Sequence, residues 1–330
     1  MTIDRYAELA RVVRDGFVES RHHGSVVVLD PAGEVLLAAG RPTEPVLPRS
    51  TLKPVQALAC LTAGAPLRGP ALAVAAGSHT GEERHVTVVA EMLAEAGVPA
   101  SALGCPPDWP EDESTRHRLI AAGGGPEAIR MNCSGKHAAM LVAAATRGWS
   151  LPDYLDPEHP VQREVAAAVT RLAGEPIAHR AVDGCGAPLF GLTPLGLARC
   201  FQALALAPAG SPEALVAAAM RAHPEYVGGT HSHPNTTLMR AVPGLLAKGG
   251  AEGVLGVATG DGHAVAVKVI DGSPRATTAI ALAALAAVGV PVPGTDELRR
   301  VPVLGGGRPV GEITAALPWT DAARRTSTAG

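Results

Sequence analysis

The most informative stretch of this chain reads Arg49-Ser50-Thr51-Leu52-Lys53-Pro54. Ser50 and Lys53 are three residues apart, so on a helix they share one face. Pro54 is tolerated only near the start of a helix, which places the pair in the first turn. A serine hydroxyl needs a base within hydrogen-bond reach to become a good nucleophile, and a desolvated, neutral lysine is such a base. The stretch therefore predicts an activated serine at a helix start, with a solvated Ser and Lys as the alternative.

The composition indicates a globular protein that binds a small molecule. With 330 residues, the chain can bury a sizeable core, and at 47% hydrophobic but only 3% aromatic residues this core must consist of Ala, Val and Leu. The formal charge of −3 and the pI near 6.5 provide no electrostatic footprint for nucleic acid or an anionic membrane. We therefore expect no nucleic-acid partner and no membrane partner.

The sequence predicts neither a signal peptide nor a membrane span. Met1 to Arg14 is charged throughout and lacks the apolar core of a signal peptide. The longest apolar stretch, Ala276 to Val292, contains Gly289 and Pro291 and is too short to span a membrane. Five cysteines without an export signal are typical of reduced thiols rather than disulfides. These features predict a cytoplasmic protein.

Hydrophobic periodicity predicts an α+β protein. One antiparallel sheet would draw its strands from both ends of the chain, and a helical subdomain would occupy the centre. We see no linker, so residues 1–316 are predicted to form a single catalytic domain and residues 317–330 a flexible tail. Cys105 to Gly125 is expected to be loop, and Leu72 to Ala76 a buried strand or a short helix. The strands are expected at Ser25–Asp30, Val35–Ala39, Gly253–Ala258 and His263–Ile270, and the helices at about Ser50–Thr62, His85–Ala96, His137–Thr146, Val161–Ala173, Leu195–Ala205, Pro212–Ala222 and Ala276–Val288.

Three further polar clusters could carry chemistry. Ser78 follows an apolar run in Gly77-Ser78-His79, where a strand or helix end can project it into a cleft; a capping turn is the alternative. Cys133 and Lys136 repeat the three-residue spacing at another helix start, and Asp183 and Cys185 lie in a glycine-bracketed turn. Buried inert thiols are the alternative for both cysteines, but their polar, glycine-rich surroundings favour a ligand or reactive role.

Two more sites are less specific. Lys268 interrupts the apolar strand Val265 to Ile270, so it either extends from an edge strand to solvent or points inward as a catalytic group. His231 and His233 could share one face of an extended segment and bind metal, although ordinary loop histidines are the favoured interpretation.

Five segments together resemble the asparaginase II family, the inducible rhizobial-type L-asparaginases, which are similar in fold to serine β-lactamases and glutaminases. The resemblance covers Ser25 to Ala316, nearly the whole chain, and it is most specific where NCSGKH is followed by DGCG. The segments are RSTLKPVQALA, GSHTGEERHV, NCSGKHAAML, DGCGAPLFGL and AEGVLGV with AVKVIDG.

The resemblance implies two adjoining Ser–Lys pairs. Ser50 would be the nucleophile and Lys53 its base, while Ser78 and Lys268 would assist proton transfer and substrate placement. The implied reaction is the hydrolysis of the side-chain amide of L-asparagine through an acyl-enzyme, giving L-aspartate and ammonia. The positions that would bind the substrate's carboxylate and polar groups are Arg49 and His137.

The resemblance also implies a zinc ion. Its ligands would be Cys133, Lys136 and Cys185 with a water molecule, and Asp183 would orient this shell and border the substrate. A lysine ligand must be neutral, which the charge of the metal can enforce. We expect zinc to position the substrate rather than to replace the Ser–Lys chemistry, and we expect a homodimer.

The chain departs from the family pattern at two places. Thr230 to Thr237 does not match the expected segment, and Gly77 replaces a small thiol or hydroxyl residue before Ser78. Glutamine is therefore an alternative substrate, since one methylene changes binding by only about 1–3 kcal/mol. A β-lactamase is disfavoured because Lys268 is not followed by Thr-Gly. A non-catalytic amino-acid-binding protein is the alternative from another class.

Overall fold

Strands from both ends of the chain form one antiparallel sheet in a computed structural model that describes residues 5–231 and 233–317. Eight strands belong to this sheet, and His179–Val182 and Pro188–Gly191 form a separate two-stranded sheet. The strands are β1 (Ala7–Arg14), β2 (Phe17–Leu29), β3 (Val35–Ala39), β4 (His179–Val182), β5 (Pro188–Gly191), β6 (Leu246–Gly250), β7 (Val254–Ala258), β8 (Ala264–Val269), β9 (Arg300–Gly305) and β10 (Arg308–Ala315).

Most helices lie between β3 and β6 in the sequence. They are α1 (Lys53–Thr62), α2 (Gly69–Ala75), α3 (Glu83–Glu95), α4 (Glu113–Ala121), α5 (Ser134–Arg147), α6 (Pro160–Ala173), α7 (Pro194–Ala205), α8 (Pro212–Ala222), α9 (Pro224–Val227), α10 (Pro234–Ala241), α11 (Thr277–Ala287) and α12 (Asp296–Arg299), with a 3-10 turn at Arg49–Leu52 directly before α1.

The chain divides into two compact units. The sheet unit comprises Met1–Thr51, Leu192–Gln202 and Ala241–Gly330. Its strands follow the order β6-β7-β8-β2-β1-β10-β9, with β3 paired to β2. The apolar helix α11 packs against the central strands, which explains why β8 is almost wholly buried. A sheet covered in this way excludes water from its middle strands.

The helical unit comprises Leu52–Gly191 and Ala203–Arg240. At its centre lies α5, which is buried from Ser134 to Ala144 and packs against α1, α2, α3 and α6. Gly135 permits the approach of α2, because a Cβ atom there would lie 2.4 Å from the Val74 carbonyl oxygen. The small residues of α5 therefore let its polar first turn sit deep inside the unit.

The structure confirms the predicted fold class and most of the predicted elements. The expected loop at Cys105 to Gly125 is wrong in part, because α4 begins at Glu113 after Asp112 caps it through the Thr115 amide. Leu72 to Ala76 is helical. The sequence-based prediction also missed four strands of the large sheet, which are β1, β6, β9 and β10.

Two predictions about domain organisation are not tested by the structure. The single catalytic domain over residues 1–316 stays a prediction, although the chain divides into two compact units. Residues 318–330 of the predicted tail lie outside the described part of the chain. None of the helices within residues 5–231 and 233–317 has the length and apolarity that a membrane span requires.

Candidate functional site

A buried lysine and a serine form the centre of the candidate site in the helical unit. Lys53 is the first residue of α1, and its side chain is fully buried. Its Nζ atom donates hydrogen bonds to Ser78 Oγ at 2.9 Å and to the Asn132 carbonyl oxygen at 3.1 Å. A buried ammonium or amine needs such partners, because burial of a polar group without them is costly. The structure therefore brings together two predicted site residues that are 25 positions apart.

The backbone before Ser78 fits only glycine. A Cβ atom at Gly77 would lie 2.5 Å from the Tyr226 carbonyl oxygen, closer than such atoms approach in real structures. The Ser78 amide donates to the Val227 carbonyl oxygen at 2.9 Å, which fixes the segment after α2. The tight packing of this segment therefore accounts for glycine at position 77, where the chain departs from the family pattern. Ser78 itself is half-buried.

His79 anchors the other side of Ser78. Its amide donates to the same Asn132 carbonyl oxygen, and its Nε2 atom lies 2.8 Å from Ser134 Oγ. Ser134 Oγ donates to the Ile129 carbonyl oxygen, so Nε2 must carry the proton, and Nδ1 accepts from the Gly81 amide. Burial, with the charges of His85 and Lys53, keeps the pKa of His79 well below its usual value. His79 is therefore a neutral structural ring.

Two thiols and a second buried lysine lie next to Lys53. Lys136 Nζ donates to Cys185 Sγ at 3.0 Å, and Cys185 in turn shares a hydrogen bond with Cys133. That bond, aided by the charges of Lys53 and Lys136 and opposed by burial, holds the pKa of the Cys133 thiol well below its usual range. The bond to Cys133 and burial raise the pKa of Cys185. Cys133 is therefore the more acidic of the two thiols.

Asp183 adds the outer carboxylate of the cluster. Its Oδ2 atom lies 3.9 Å from Cys185 Sγ, and its Oδ1 atom accepts from the Gly184 amide at 2.9 Å. Burial lowers the pKa of Lys136, but Cys133, Cys185 and Asp183 outweigh burial. The pKa of Lys136 therefore lies above its usual value. The turn between β4 and β5 places both Asp183 and Cys185, as the glycine-bracketed sequence suggested.

This donor set suits zinc. Thiolates are the preferred ligands of structural and catalytic zinc, and two sulfurs with one amine leave a fourth position of a tetrahedron for water. Cys133, Lys136 and Cys185 lie in one hydrogen-bonded chain, so their donor atoms are neighbours. Metal binding would release the protons of Cys185 and Lys136.

His137 follows Lys136 on α5 and is fully buried. Its Nδ1 atom lies 2.6 Å from the Tyr154 hydroxyl, which accepts a hydrogen bond from the Gly104 amide at 2.8 Å. Burial and the charges of Lys136 and Lys53 keep the pKa of His137 well below its usual value. The ring is thus placed beside the two lysines of the site, although its predicted contact with substrate stays a prediction.

The remaining predicted residues belong to the sheet unit. Ser50 lies in the 3-10 turn, and a Cβ atom at Gly250 in β6 would lie 3.1 Å from its amide nitrogen. Arg49 has a positive φ of 54°, which is strained for a residue with a side chain. Its guanidinium lies 4.0 Å from the Glu252 carboxylate. Backbone strain directly before Ser50 is typical of functional positions.

Lys268 lies on β8, two strands from the sheet edge at β6. It is partly buried, and its Nζ atom donates to the Glu252 carbonyl oxygen. The pKa of Lys268 is lowered, mainly by burial and further by the positive charge of Arg49. The negative charges of Glu252 and Asp271 oppose this shift but do not outweigh it. Arg49, Glu252 and Lys268 therefore share one electrostatic neighbourhood in the sheet unit. The pairing of Ser50 with Lys53, and of Ser78 with Lys268, stays a prediction.

The loop histidines have ordinary partners. His231 Nδ1 lies 3.4 Å from the Asp112 carboxylate and 3.1 Å from Thr230 Oγ1. His233 accepts through its carbonyl oxygen from Thr237 at the start of α10.

Sequence reasoning missed two buried polar residues of interest. Tyr154 carries no local pattern, and only its partner His137 reveals it. Lys248 on β6 is fully buried, like Lys53 and Lys136. The signal that could have found it is the run Lys248-Gly249-Gly250, a lysine followed by small residues at a strand end.

Several solved structures are similar to this chain. A β-lactamase from Mycobacterium bovis shares 16% identity, with 80% of this chain and 94% of that chain covered and a TM-score of 0.43. A Bacillus glutaminase shares 13% identity over 74% of this chain and 83% of that one, with a TM-score of 0.31. A β-lactamase from Burkholderia vietnamiensis shares 15% identity over 76% and 85%, with a TM-score of 0.33.

No curated protein matches the chain. The family comparison is decisive, because residues 10–315 match L-asparaginase II. That match contains the Lys53–Ser78 pair, the thiol cluster and Lys268. The chain therefore belongs to the L-asparaginase II family, a family of amidohydrolases.

Proposed function

We propose that this protein hydrolyses the side-chain amide of L-asparagine to L-aspartate and ammonia. The observation that carries the proposal is the 2.9 Å hydrogen bond between buried Lys53 Nζ and Ser78 Oγ. A serine hydroxyl and a lysine in direct contact can exchange a proton, which is the requirement for covalent catalysis by serine. The family assignment supplies the reaction class, amide hydrolysis.

In the proposed reaction, Ser50 Oγ attacks the amide carbon of the substrate. Lys53 accepts the serine proton, and the amide nitrogen leaves as ammonia after protonation. Water then attacks the acyl-enzyme, returns a proton to Ser50 and releases L-aspartate. Ser50 is the proposed nucleophile because it precedes Lys53 by three residues along the chain.

Ser78 and Lys268 are proposed to assist. Ser78 Oγ accepts a hydrogen bond from Lys53, which supports a role in passing protons between that lysine and the leaving nitrogen. Lys268 contributes an amine whose pKa is lowered by burial, a direction that favours proton transfer by this group. Arg49 and His137 are the proposed contacts for the substrate's carboxylate and polar groups.

We propose that Cys133, Lys136 and Cys185 hold a zinc ion, with Asp183 orienting Cys185. When bound, zinc supplies a fixed positive charge that orients substrate oxygen atoms. The residues of this chain supply the remaining requirements. Lys53 and Ser78 hold the reacting proton, and the buried helix start of α5 excludes water.

An ammonia-release assay tests the function. The wild type is expected to release ammonia from L-asparagine in step with L-aspartate, and Ser50→Ala is expected to abolish both. Ser114→Ala, at an exposed serine of α4, is the matched control and should keep wild-type rates. Equal rates in Ser50→Ala and the wild type would refute the Ser50 assignment. L-Glutamine in the same assay distinguishes asparaginase from glutaminase.

We also propose that the protein works as a homodimer in the cytoplasm. The family assignment is compatible with a small-molecule enzyme, and light scattering of the purified full chain measures the oligomeric state. A monomer at micromolar concentration would contradict the dimer.

A further inference from the structure

A cavity of about 630 Å³ lies in the helical unit between α1, α2 and α8. This volume is typical of sites that hold a small organic ligand. Its walls come from the last turn of α1, the connection between α1 and α2, the first turn of α2 and one face of α8. None of the described residues that line it belongs to the Lys53–Ser78 pair or to the thiol cluster. The cavity is therefore distinct from the candidate site.

The walls of this cavity are almost entirely aliphatic. The imidazole of His223 is the only aromatic ring among the described lining residues. Leu215 is 46% exposed, so a ligand that covers it removes apolar surface from water. Such walls favour an aliphatic chain. The leucines that line the cavity are Leu61, Leu67, Leu72 and Leu215, together with small Ala, Gly and Pro residues.

The polar groups of the cavity favour an anionic head group. Arg68 is the only arginine, lysine or acidic residue among the described lining residues, so no carboxylate in the wall neutralises its guanidinium. Arg68 is exposed and directly precedes α2. The His223 ring faces the same helix start, because a Cβ atom at Gly69 would lie 3.5 Å from its Nε2 atom. A carboxylate matches the fork of a guanidinium and binds it through two hydrogen bonds.

The cavity lies at the ends of α1 and α2 that are remote from the Lys53–Ser78 pair. Lys53 is the first residue of α1, whereas Leu61 in its last turn lines the cavity. At 1.5 Å of rise per residue, Leu61 lies about 12 Å further along the helix axis than Lys53. Gly69, the first residue of α2, is part of the wall, and Ser78 follows the other end of that helix. A ligand in the cavity therefore contacts the two helices that position this pair without contacting the pair.

A second connection runs from the cavity wall to Ser78. The rings of His223 and Tyr226 meet edge to face, with centroids 6.2 Å apart. The Tyr226 carbonyl oxygen packs against Gly77, where a Cβ atom would lie only 2.5 Å from it, and the Val227 carbonyl oxygen accepts from the Ser78 amide. Because close-packed groups move together, a ligand that holds His223 also holds the segment around Ser78.

We propose that this cavity binds an aliphatic carboxylate of medium chain length, and that the bound ligand restrains α2 and the segment around Ser78. The chain would lie against the leucines, and the carboxylate would bind Arg68. A ligand that contacts α1, α2 and α8 together stabilises their packed arrangement by mass action. The inference goes beyond the proposed function and does not depend on it, because the cavity is separate from the residues of the proposed reaction.

Calorimetry on the full chain tests the ligand class, with sodium decanoate kept below the concentration at which it forms micelles. Decanoate is expected to bind roughly 15-fold more tightly than octanoate, because each buried methylene group is worth roughly fourfold in affinity. Decyltrimethylammonium, which has the same chain and the opposite charge, should bind more weakly than decanoate. No binding of decanoate, equal binding of octanoate, or tighter binding of the cation would each overturn the proposed ligand.

Substitutions in the wall locate the ligand. Ala218→Trp and Ala222→Trp introduce an indole ring from exposed positions of α8, and each should abolish decanoate binding. Ala121→Trp, at an exposed alanine of α4 outside the cavity, is the control and should bind like the wild type. Urea denaturation identifies the variants that are folded, and either tryptophan variant suffices. Wild-type affinity in a folded Ala218→Trp or Ala222→Trp overturns the site.

Arg68→Gln tests the head group separately from the chain. This variant should weaken decanoate binding by roughly 3- to 10-fold, between the effects of an exposed ion pair and of a charge-assisted hydrogen bond. Its affinity for 1-decanol, which has no charge, should equal that of the wild type. Arg163→Gln, at an exposed arginine of α6, is the matched control. Undiminished decanoate binding by Arg68→Gln contradicts the role of Arg68.

Amide hydrogen exchange measures the restraint on Ser78. With decanoate at about 100 times its dissociation constant, amides of α2 and of Gly77 and Ser78 that exchange through openings of the cavity should slow by up to roughly 100-fold. The exposed helix α4 is the internal control. Unchanged exchange in α2 and at Ser78 overturns the restraint. Decanoate binding by a protein that releases no ammonia from L-asparagine refutes the proposed reaction alone, and ammonia release without decanoate binding refutes this inference alone.

Discussion

Lys53 Nζ lies 2.9 Å from Ser78 Oγ and 3.1 Å from the Asn132 carbonyl oxygen, deep in the helical unit. The same lysine also hydrogen-bonds the Cys133 sulfur. One amine thus joins the serine and the thiol cluster, so a change at Lys53 would reach both. Two serines are therefore candidates for the nucleophile. Ser50 lies three residues before Lys53 in the chain, and Ser78 contacts Lys53 directly.

Separate alanine variants of the two serines should rank their roles. Ser50→Ala is expected to lose about 10⁶-fold in kcat, as enzymes do that lose a covalent nucleophile. Ser78→Ala is expected to lose roughly 10²- to 10⁴-fold, the contribution of a proton-transfer group. Mass spectrometry of enzyme quenched with L-asparagine should find the acyl adduct on Ser50. An adduct on Ser78, with the larger loss in Ser78→Ala, would move the nucleophile to Ser78.

Removal of either thiol of the cluster should release the metal. Cys133→Ala and Cys185→Ala are each expected to lose zinc, because two sulfurs and one amine cannot hold it once a sulfur is gone. Cys105→Ala is the control, since its Sγ atom donates to the Ala128 carbonyl oxygen and it is not one of the proposed ligands. Elemental analysis of protein purified without chelator measures the content. Zinc retained in full by both cluster variants would contradict the site.

Gly77→Ala should move Ser78 or destabilise the helical unit. The added methyl group would lie 2.5 Å from the Tyr226 carbonyl oxygen, so one of the two segments must shift. Overpacking of this kind costs roughly 1–3 kcal/mol of unfolding free energy, measurable by urea denaturation. Activity is expected to fall as well, because Ser78 follows directly.

Gly125→Ala is the control for that substitution. A Cβ atom at Gly125 meets nothing within 4 Å, and the residue is not in the left-handed region. Its stability and activity should equal those of the wild type. Wild-type stability in Gly77→Ala would show that the segment around Ser78 yields more easily than its packing indicates.

The fold was predictable where local signals agree with burial. The amphipathic spacing of Val161–Ala173 predicted α6, whose first residue is Pro160 and whose C-cap is Gly174 in the left-handed region. The turn around Gly33 predicted the pairing of β2 with β3. By contrast, β1 carries exposed Arg11 between its buried Leu9 and Val12, and the many charges near the N-terminus hid this strand from the sequence pattern.

The site was predictable as a set of residues and not as a set of contacts. Spacing of three residues at a helix start identified Cys133 and Lys136, because local geometry is readable from sequence. The bond between Lys53 and Ser78 joins two elements, and its existence depends on how α1 and α2 pack. Tyr154 was missed for the same reason, since a tyrosine in a loop has no local signature of a buried partner.

His79 should make the protein less stable in acid. Its folded-state pKa lies well below the usual value of 6.5, mainly because of burial, so the folded ring stays neutral. Once unfolded, the ring takes up a proton below about pH 6.5. The unfolded state then binds more protons, and stability falls with decreasing pH by about 1.4 kcal/mol per pH unit for one such group. His85, whose pKa is also lowered by burial, adds to this slope.

Urea denaturation from pH 7 to pH 5 measures the effect. His79→Gln keeps an N–H group for Ser134 Oγ but cannot titrate, so its stability should depend on pH less steeply than that of the wild type by up to one proton. Ser114→Ala, at an exposed serine of α4, is the control and should keep the wild-type slope. The Gly81 amide faces Nδ1 of His79, so a proton added there would meet a donor and not an acceptor. If the unfolding free energy of His79→Gln depends on pH as steeply as that of the wild type, the prediction is wrong. His79 would then take up its proton in the folded state, and the Gly81 amide would move away from Nδ1.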